Sequence, residues 1–129
     1  MAAIKSTGTK PEVFVRKSLH SAGFRFRLHR KDLPGNPDLV FPRFKLAIFV
    51  HGCFWHGHGC KKDHQPRTNR SYWLAKIKRN VERDRHARAA LEALGWRVRI
   101  VWECLQVEET ARLIEELSSL RASEEQSAL

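Results

Sequence analysis

The sequence predicts an α+β fold, a single mixed sheet flanked by helices, and three observations predict it. Hydrophobic periodicities run in the order helix, three strands, helix, strand, helix. Residues 46–50 form an unbroken apolar run, as a central strand covered on both faces requires. The 129 residues suffice for one domain with a real core, and no repeat or linker divides them.

Each element has a local reason. Residues 10–22 read as a helix: Thr9 can cap it, Pro11 suits its first turn, Gly23 can end it, and Val15, Leu19 and Ala22 share a face. Residues 24–29 alternate as a half-buried strand, with Phe24, Phe26 and Leu28 on one side and Arg25, Arg27 and His29 on the other. Leu33-Pro34-Gly35-Asn36-Pro37 is a turn cluster. Strands at 38–41 and 45–50 are joined through Pro42-Arg43-Phe44. A loop over 51–70 is longer than connections usually are, and its His, Cys and Gly content points to function. Residues 71–94 read as a long helix burying Trp73, Ile77, Val81, Leu91 and Leu94, ended by Gly95. A strand at 96–102, with Val98, Ile100 and Trp102 on one face, and an amphipathic helix at 107–120 complete the order. Residues 1–9 are expected to be a mobile arm and 121–129 a frayed tail.

The net charge of +10 favours a polyanionic partner, nucleic acid first, although a basic protein without such a partner fits the charge as well. No apolar run approaches the ~18 residues of a membrane span, and 1–10 lacks an apolar signal core, so a cytoplasmic protein off the membrane is expected.

The three cysteines are an odd number, which argues against a disulfide framework. Cys53, His58 and Cys60 lie in one loop, and Cys104 follows the last strand. Three thiolates and one imidazole make a closed tetrahedral Zn2+ set that would fix a loop too polar to pack itself. Unlinked reduced thiols are the alternative.

Asp38 begins one strand and Val50-His51 ends the next, so both can converge at neighbouring strand ends. A carboxylate plus the Val50 carbonyl, completed by phosphate oxygens and water, suits a hard Mg2+ ion. His56 is a candidate general base and His51 a candidate phosphate contact. Glu12, the only early acid, can orient a histidine. The residues alone leave Asp38 open as a turn cap and Glu12 as a solvated first-turn acid.

Phe54 and Trp55 adjoin in the polar loop, and Trp73 opens the long helix. Such aromatics beside a basic surface can wedge between base steps, or else cap the core. The helix also carries Lys76, Lys78, Arg79, Arg83, Arg85 and Arg88, suited to phosphates, and Asn80, suited to base edges. A solvated charged face is the alternative.

These motifs resemble the very short patch repair (Vsr) endonucleases. The resemblance rests on Thr9-Lys10-Pro11-Glu12, on Leu33-Pro34-Gly35-Asn36-Pro37-Asp38, on Phe49-Val50-His51-Gly52-Cys53-Phe54-Trp55-His56-Gly57-His58, on Asn80-Val81-Glu82-Arg83-Asp84, and on Leu94-Gly95-Trp96-Arg97-Val98 with Val101-Trp102-Glu103-Cys104. It covers about residues 1–105 and implies a restriction-endonuclease-like fold. It also implies Mg2+-dependent nicking of one DNA strand 5′ to the T of a T:G mismatch left by deamination of 5-methylcytosine. Carried over by motif, Asp38 and the Val50 carbonyl would bind Mg2+. His56, supported by Glu12, would be the base, and His51 would stabilise the phosphate. Phe54, Trp55 and Trp73 would enter the duplex. Lys76 and Asn80 would face the mismatch, with Arg79 on a phosphate. Cys53, His58, Cys60 and Cys104 would hold Zn2+.

Related restriction nucleases place an acid-x-Lys element where Phe49-Val50-His51 stands, which favours the narrower family. Family members carry an arm ahead of the position of Met1 that grips the minor groove, and 1–9 is expected to be too short for a substantial clamp. The expected partners are T:G-mismatched duplex DNA and mismatch-repair proteins, the expected state a monomer, and the expected place the bacterial nucleoid. Two other readings stay open: a nuclease of the same fold aimed at another target such as foreign DNA, and a catalytically weak DNA-binding module.

Overall fold

The structure is a computed structural model that describes residues 9–53 and 69–127. Its elements, in chain order, are α1 (Lys10–Ser21), β1 (Arg27–Leu28), β2 (Leu39–Phe41), β3 (Leu46–His51), α2 (Arg70–Ala93), β4 (Arg97–Trp102) and α3 (Gln106–Ser127). The four strands form one sheet in the order β1-β2-β3-β4, antiparallel between β1, β2 and β3 and parallel between β3 and β4. A parallel pair needs a long crossover, and α2 supplies it. This mixed sheet flanked by helices is the fold class the sequence predicts, and it is consistent with a restriction-endonuclease-like arrangement.

Alternation along the strands sorts the core into two layers. Leu39, Phe41, Leu46, Ile48 and Val101 meet Val15 and Leu19 of α1 and Leu113 and Leu117 of α3. Val40, Ala47, Phe49 and Val98, pointing the other way, meet Leu91 of α2 and Leu33. Each fully buried Leu or Ile here contributes about 1.5–3 kcal/mol, so the sheet centre is rigid enough to hold groups at its strand ends. None of the described helices is long and apolar enough to cross a membrane.

α1 begins as predicted: the Glu12 amide donates to the Thr9 hydroxyl at 3.4 Å, and Pro11 sits in the first turn. The strand expected over 24–29 shrinks to Arg27–Leu28. Phe24 instead finishes α1, its amide donating to the Leu19 carbonyl at 3.1 Å, and His29 leaves the ladder in a left-handed conformation at φ 49°. Leu28, expected inward, is exposed on this edge strand.

Two other expectations are corrected. The line of α2 facing the sheet includes Ile77, Ala87 and Leu91, whereas Val81 and Leu94 are 42% and 56% exposed. Helical spacing of three and four residues puts Asn80 and Asp84 on that same line. Half-buried polar residues, not apolar ones, occupy the middle of the sheet-facing line. The expected frayed tail is helical to Ser127. It contains no glycine or proline to stop it, and Arg121 lies over the Phe24 ring at 4.4 Å while Glu124 pairs with Arg43 at 2.8 Å.

Candidate active site

The turn ahead of β2 sets Asp38. Gly35 and Asn36 both take left-handed backbone, φ 76° and 51°, and the Asn36 amide closes the turn on the Leu33 carbonyl at 3.2 Å. Pro37 then fixes the approach to the strand. The Asp38 amide donates to the Ile48 carbonyl at 3.0 Å, and its carbonyl accepts from the His29 amide at 3.2 Å. Its carboxylate accepts the Val50 amide at 2.7 Å. A strand residue directs its N–H and C=O to the same edge, so the Val50 carbonyl faces the edge that Asp38 occupies.

Glu12 reaches the same place from α1. It is only 2% exposed, with His29 Nε2 at 3.4 Å and Arg16 at 3.8 Å from its Oε2. Ligand atoms of Glu12, His29 and Asp38 all lie within 4.8 Å of one another, a spacing that could hold a metal ion. Burial pushes the Asp38 carboxyl up to about 7; the Val50 amide pulls it down, while the charge of Glu12 and a hydrogen bond with it push it up. The buried Glu12 carboxyl and the half-buried Asp38 carboxyl lie close enough that a cation between them would relieve their repulsion.

His51 lies one residue beyond Val50, on the opposite face of the sheet. It continues the line of Ala47 and Phe49 and is 4% exposed. The Trp102 ring meets it edge-on at 5.1 Å and the Phe49 ring lies at 5.8 Å. Its Nε2 stands 3.9 Å from the carboxylate of Asp84 on α2. Farther along α2, Trp73, Lys76 and Asn80 are half-buried, with the Lys76 ammonium 5.9 Å from the Trp73 ring centre, while Arg79 is exposed.

Cys53 and Cys104 each follow by two residues the paired positions His51 and Trp102, so the parallel register carries both to one end of the sheet. Cys53 is buried and Cys104 half-buried. Phe54, Trp55, His56, His58 and Cys60 lie outside the described residues.

Sequence reasoning passed over two members of this constellation. Strand alternation directs His29 outward, whereas its nearness to Glu12 depends on its left-handed backbone. Asp84 carries a visible signal: an acid on the sheet-facing line of a helix, seven residues after Ile77 and seven before Leu91.

A half-buried acid ahead of a strand and a buried acid on the helix beside it, in a chain with a cation-rich helix, suit hydrolysis of a phosphodiester chain, and the class this fold and site define is the nuclease. Comparison with known proteins agrees. A family model described as DNA mismatch endonuclease Vsr matches residues 1–62. The chain is 57% identical over 104 residues to the type II nicking enzyme V.XorIIP of Xanthomonas oryzae pv. oryzae, covering 81% of this chain and 76% of that one. It is 49% identical over 104 residues to the type II nicking enzyme V.NmeAIP of Neisseria meningitidis, covering 81% and 74%. Against the DNA mismatch endonuclease Vsr of Escherichia coli it is 46% identical over 104 residues, covering 81% and 67%. The chain belongs to the Vsr family, and is a DNA endonuclease, a hydrolase of phosphodiester bonds.

Proposed function

We propose that the chain nicks one strand of duplex DNA 5′ to the T of a T:G mismatch, in very short patch repair, with Mg2+ as its cofactor. The observation that carries this reading is the Asp38 carboxylate seated on the Val50 amide with Glu12 beside it. Hard oxygen donors in a pocket where two carboxyl groups repel each other fit a divalent cation, and Asp38 with the Val50 carbonyl would hold it. Bound there, Mg2+ supplies Lewis-acid polarisation of the phosphate and a more acidic water.

The protein's own groups do the rest. Asp38 and Glu12 fix the acidic end of the site against the sheet. His51, buried with Asp84 3.9 Å away, keeps a donor aimed by two aromatic rings and stabilises the scissile phosphate as charge builds on it. His56 takes the proton of the attacking water. The half-buried Trp73, Lys76 and Asn80 support base and phosphate contacts along α2, with Phe54 and Trp55 as the wedge and Arg79 on the backbone. Cys53 and Cys104, at one end of the parallel pair, support a Zn2+ set completed by His58 and Cys60. The setting is the bacterial cytoplasm, with mismatch-repair proteins as further partners.

The first two relatives are named type II nicking enzymes, and nicking is compatible with a second reading in which foreign DNA without a mismatch is the target. Nicking of paired T:G and matched duplexes across varied flanking sequence decides between them. Cleavage confined to the T strand of T:G supports the first reading, and equal cleavage of both duplexes overturns it. Metal analysis of protein purified without added metal should return one zinc per chain, lost in Cys104→Ser. A zinc-free wild type would remove the zinc set.

A further inference from the structure

The structure turns His29 away from the sheet ladder and toward the acids. Its left-handed backbone, φ 49°, is uncommon for a residue with a side chain, although histidine is among those that tolerate it. Its amide remains tied to the Asp38 carbonyl at 3.2 Å, so the imidazole is anchored to the residue it faces. Nε2 ends 3.4 Å from the Glu12 carboxylate.

The spacing is close to what one ion needs. An octahedral cation with bonds of about 2.1 Å puts neighbouring ligand atoms about 3 Å apart and opposite ones about 4 Å apart. The donors of Glu12, His29 and Asp38 all fall within 4.8 Å of one another, so a closure below about 1 Å would seat them on one ion. Glu12 comes from α1, Asp38 from just before β2 and His29 from just after β1, so three separate segments bring their donors to one cluster. Arg16 meets Glu12 from its own helix at 3.8 Å. Glu12 is closed off at 2% exposed and His29 is 29% exposed, so the opening lies on the imidazole side. A shallow surface cavity of about 730 Å³ is lined by His29 with Phe26, Arg27, Leu28 and Arg30.

We propose that His29 is a direct ligand, through Nε2, of the divalent cation held by Asp38 beside Glu12, so that Mn2+ or Co2+ binds this site more tightly than the Mg2+ that serves the reaction. This rests on the reading that Asp38 holds a divalent cation. The preference follows from donor chemistry: imidazole suits the transition metals, whereas Mg2+ keeps to oxygen and sheds water reluctantly.

The test is Mn2+ titration of DNA-free protein with its zinc left in place, read by electron spin-echo envelope modulation. The control variant is His29→Asn, because asparagine accepts left-handed backbone and removes the imidazole. A directly bound imidazole gives 14N modulation in the wild type. His29→Asn should abolish it and weaken Mn2+ binding about tenfold, while changing Mg2+ binding less than about twofold. Thermal unfolding of the variant, matched to wild type, establishes that the loss is local. Mn2+ binding that needs Asp38 but shows no 14N modulation, or modulation that survives in His29→Asn, overturns the assignment of His29 and leaves the Asp38 cation standing. Mn2+ binding unchanged in Asp38→Asn overturns both.

Discussion

The Asp38 carboxylate accepts the Val50 amide at 2.7 Å, latching the start of one strand to the end of the next, one residue before His51. A side chain thereby continues the ladder where backbone pairing between β2 and β3 stops. The acid is positioned by the same bond that closes the sheet, so its place depends on the central strand rather than on a loop.

Asparagine and alanine at this position separate the two roles of Asp38. Asp38→Asn keeps an acceptor for the Val50 amide and should retain fold and DNA binding, while nicking under single-turnover conditions falls by at least about 100-fold. Asp38→Ala should lose nicking equally and be less stable than Asp38→Asn by about 1 kcal/mol in urea denaturation, because the amide loses its partner. Near-normal nicking by Asp38→Asn would remove Asp38 from the chemistry.

The raised Asp38 carboxyl makes a pH prediction. Without divalent cation, the folded chain holds the Asp38 proton up to about 7, whereas the unfolded chain releases it near 3.8. The folded state therefore binds more protons across that window, and this group's contribution to stability is present below it and lost as pH rises through it. The stability of wild type minus that of Asp38→Asn should fall between pH 4 and pH 7, and saturating Mg2+ should flatten the decline. A difference that rises with pH would contradict the burial of this group.

Asp84 should act through His51. Asp84→Asn keeps the shape but removes the charge 3.9 Å from Nε2, so kcat should fall about 10- to 100-fold with little change in KM for DNA. An altered KM with unchanged kcat would make Asp84 a groove residue instead.

Much of this was legible in the sequence because the relevant signals are local. The cap at Thr9, the apolar run 46–50 and the placement of Asp38 before one strand and His51 at the end of the next depend on neighbouring residues or on one pairing. What was missed depends on tertiary geometry. Phe24 and Leu28 alternate correctly for a strand, but the connection from α1 holds Phe24 and leaves only a short edge. His29 comes to Glu12 through one backbone torsion that no composition records. On α2, Val81 and Leu94 looked like the buried line because they are apolar, whereas that line runs through Asn80 and Asp84 on its way to Leu91. Polar residues on a sheet-facing helical stripe break the pattern where the helix passes the strand ends, and the site lies there.

The close approach of α2 to the Asp38 turn rests on Gly35. Its φ of 76° disfavours any side chain, and a Cβ there would stand 2.5 Å from the Ala87 Cβ and 3.2 Å from the Phe49 ring. The Ala87 contact is with a methyl fixed to the helix backbone, so it can be relieved only by moving α2 or the turn. Gly35→Ala should therefore destabilise the fold by about 2–4 kcal/mol, the sum of left-handed strain and overpacking. Asp84 lies three residues from Ala87 on the same helix and Asp38 three residues from Gly35, so the displacement also separates the two acids. Nicking should fall by about 100-fold even at temperatures where the variant stays folded. The double variant Gly35→Ala with Ala87→Gly removes the clash but keeps the torsional strain and adds a helix glycine worth about 1 kcal/mol. It should recover nicking more fully than stability. Urea denaturation and single-turnover nicking on the same preparations measure both. Recovery of stability without nicking, or a Gly35→Ala variant as stable and active as wild type, would show that this contact does not set the distance between helix and turn.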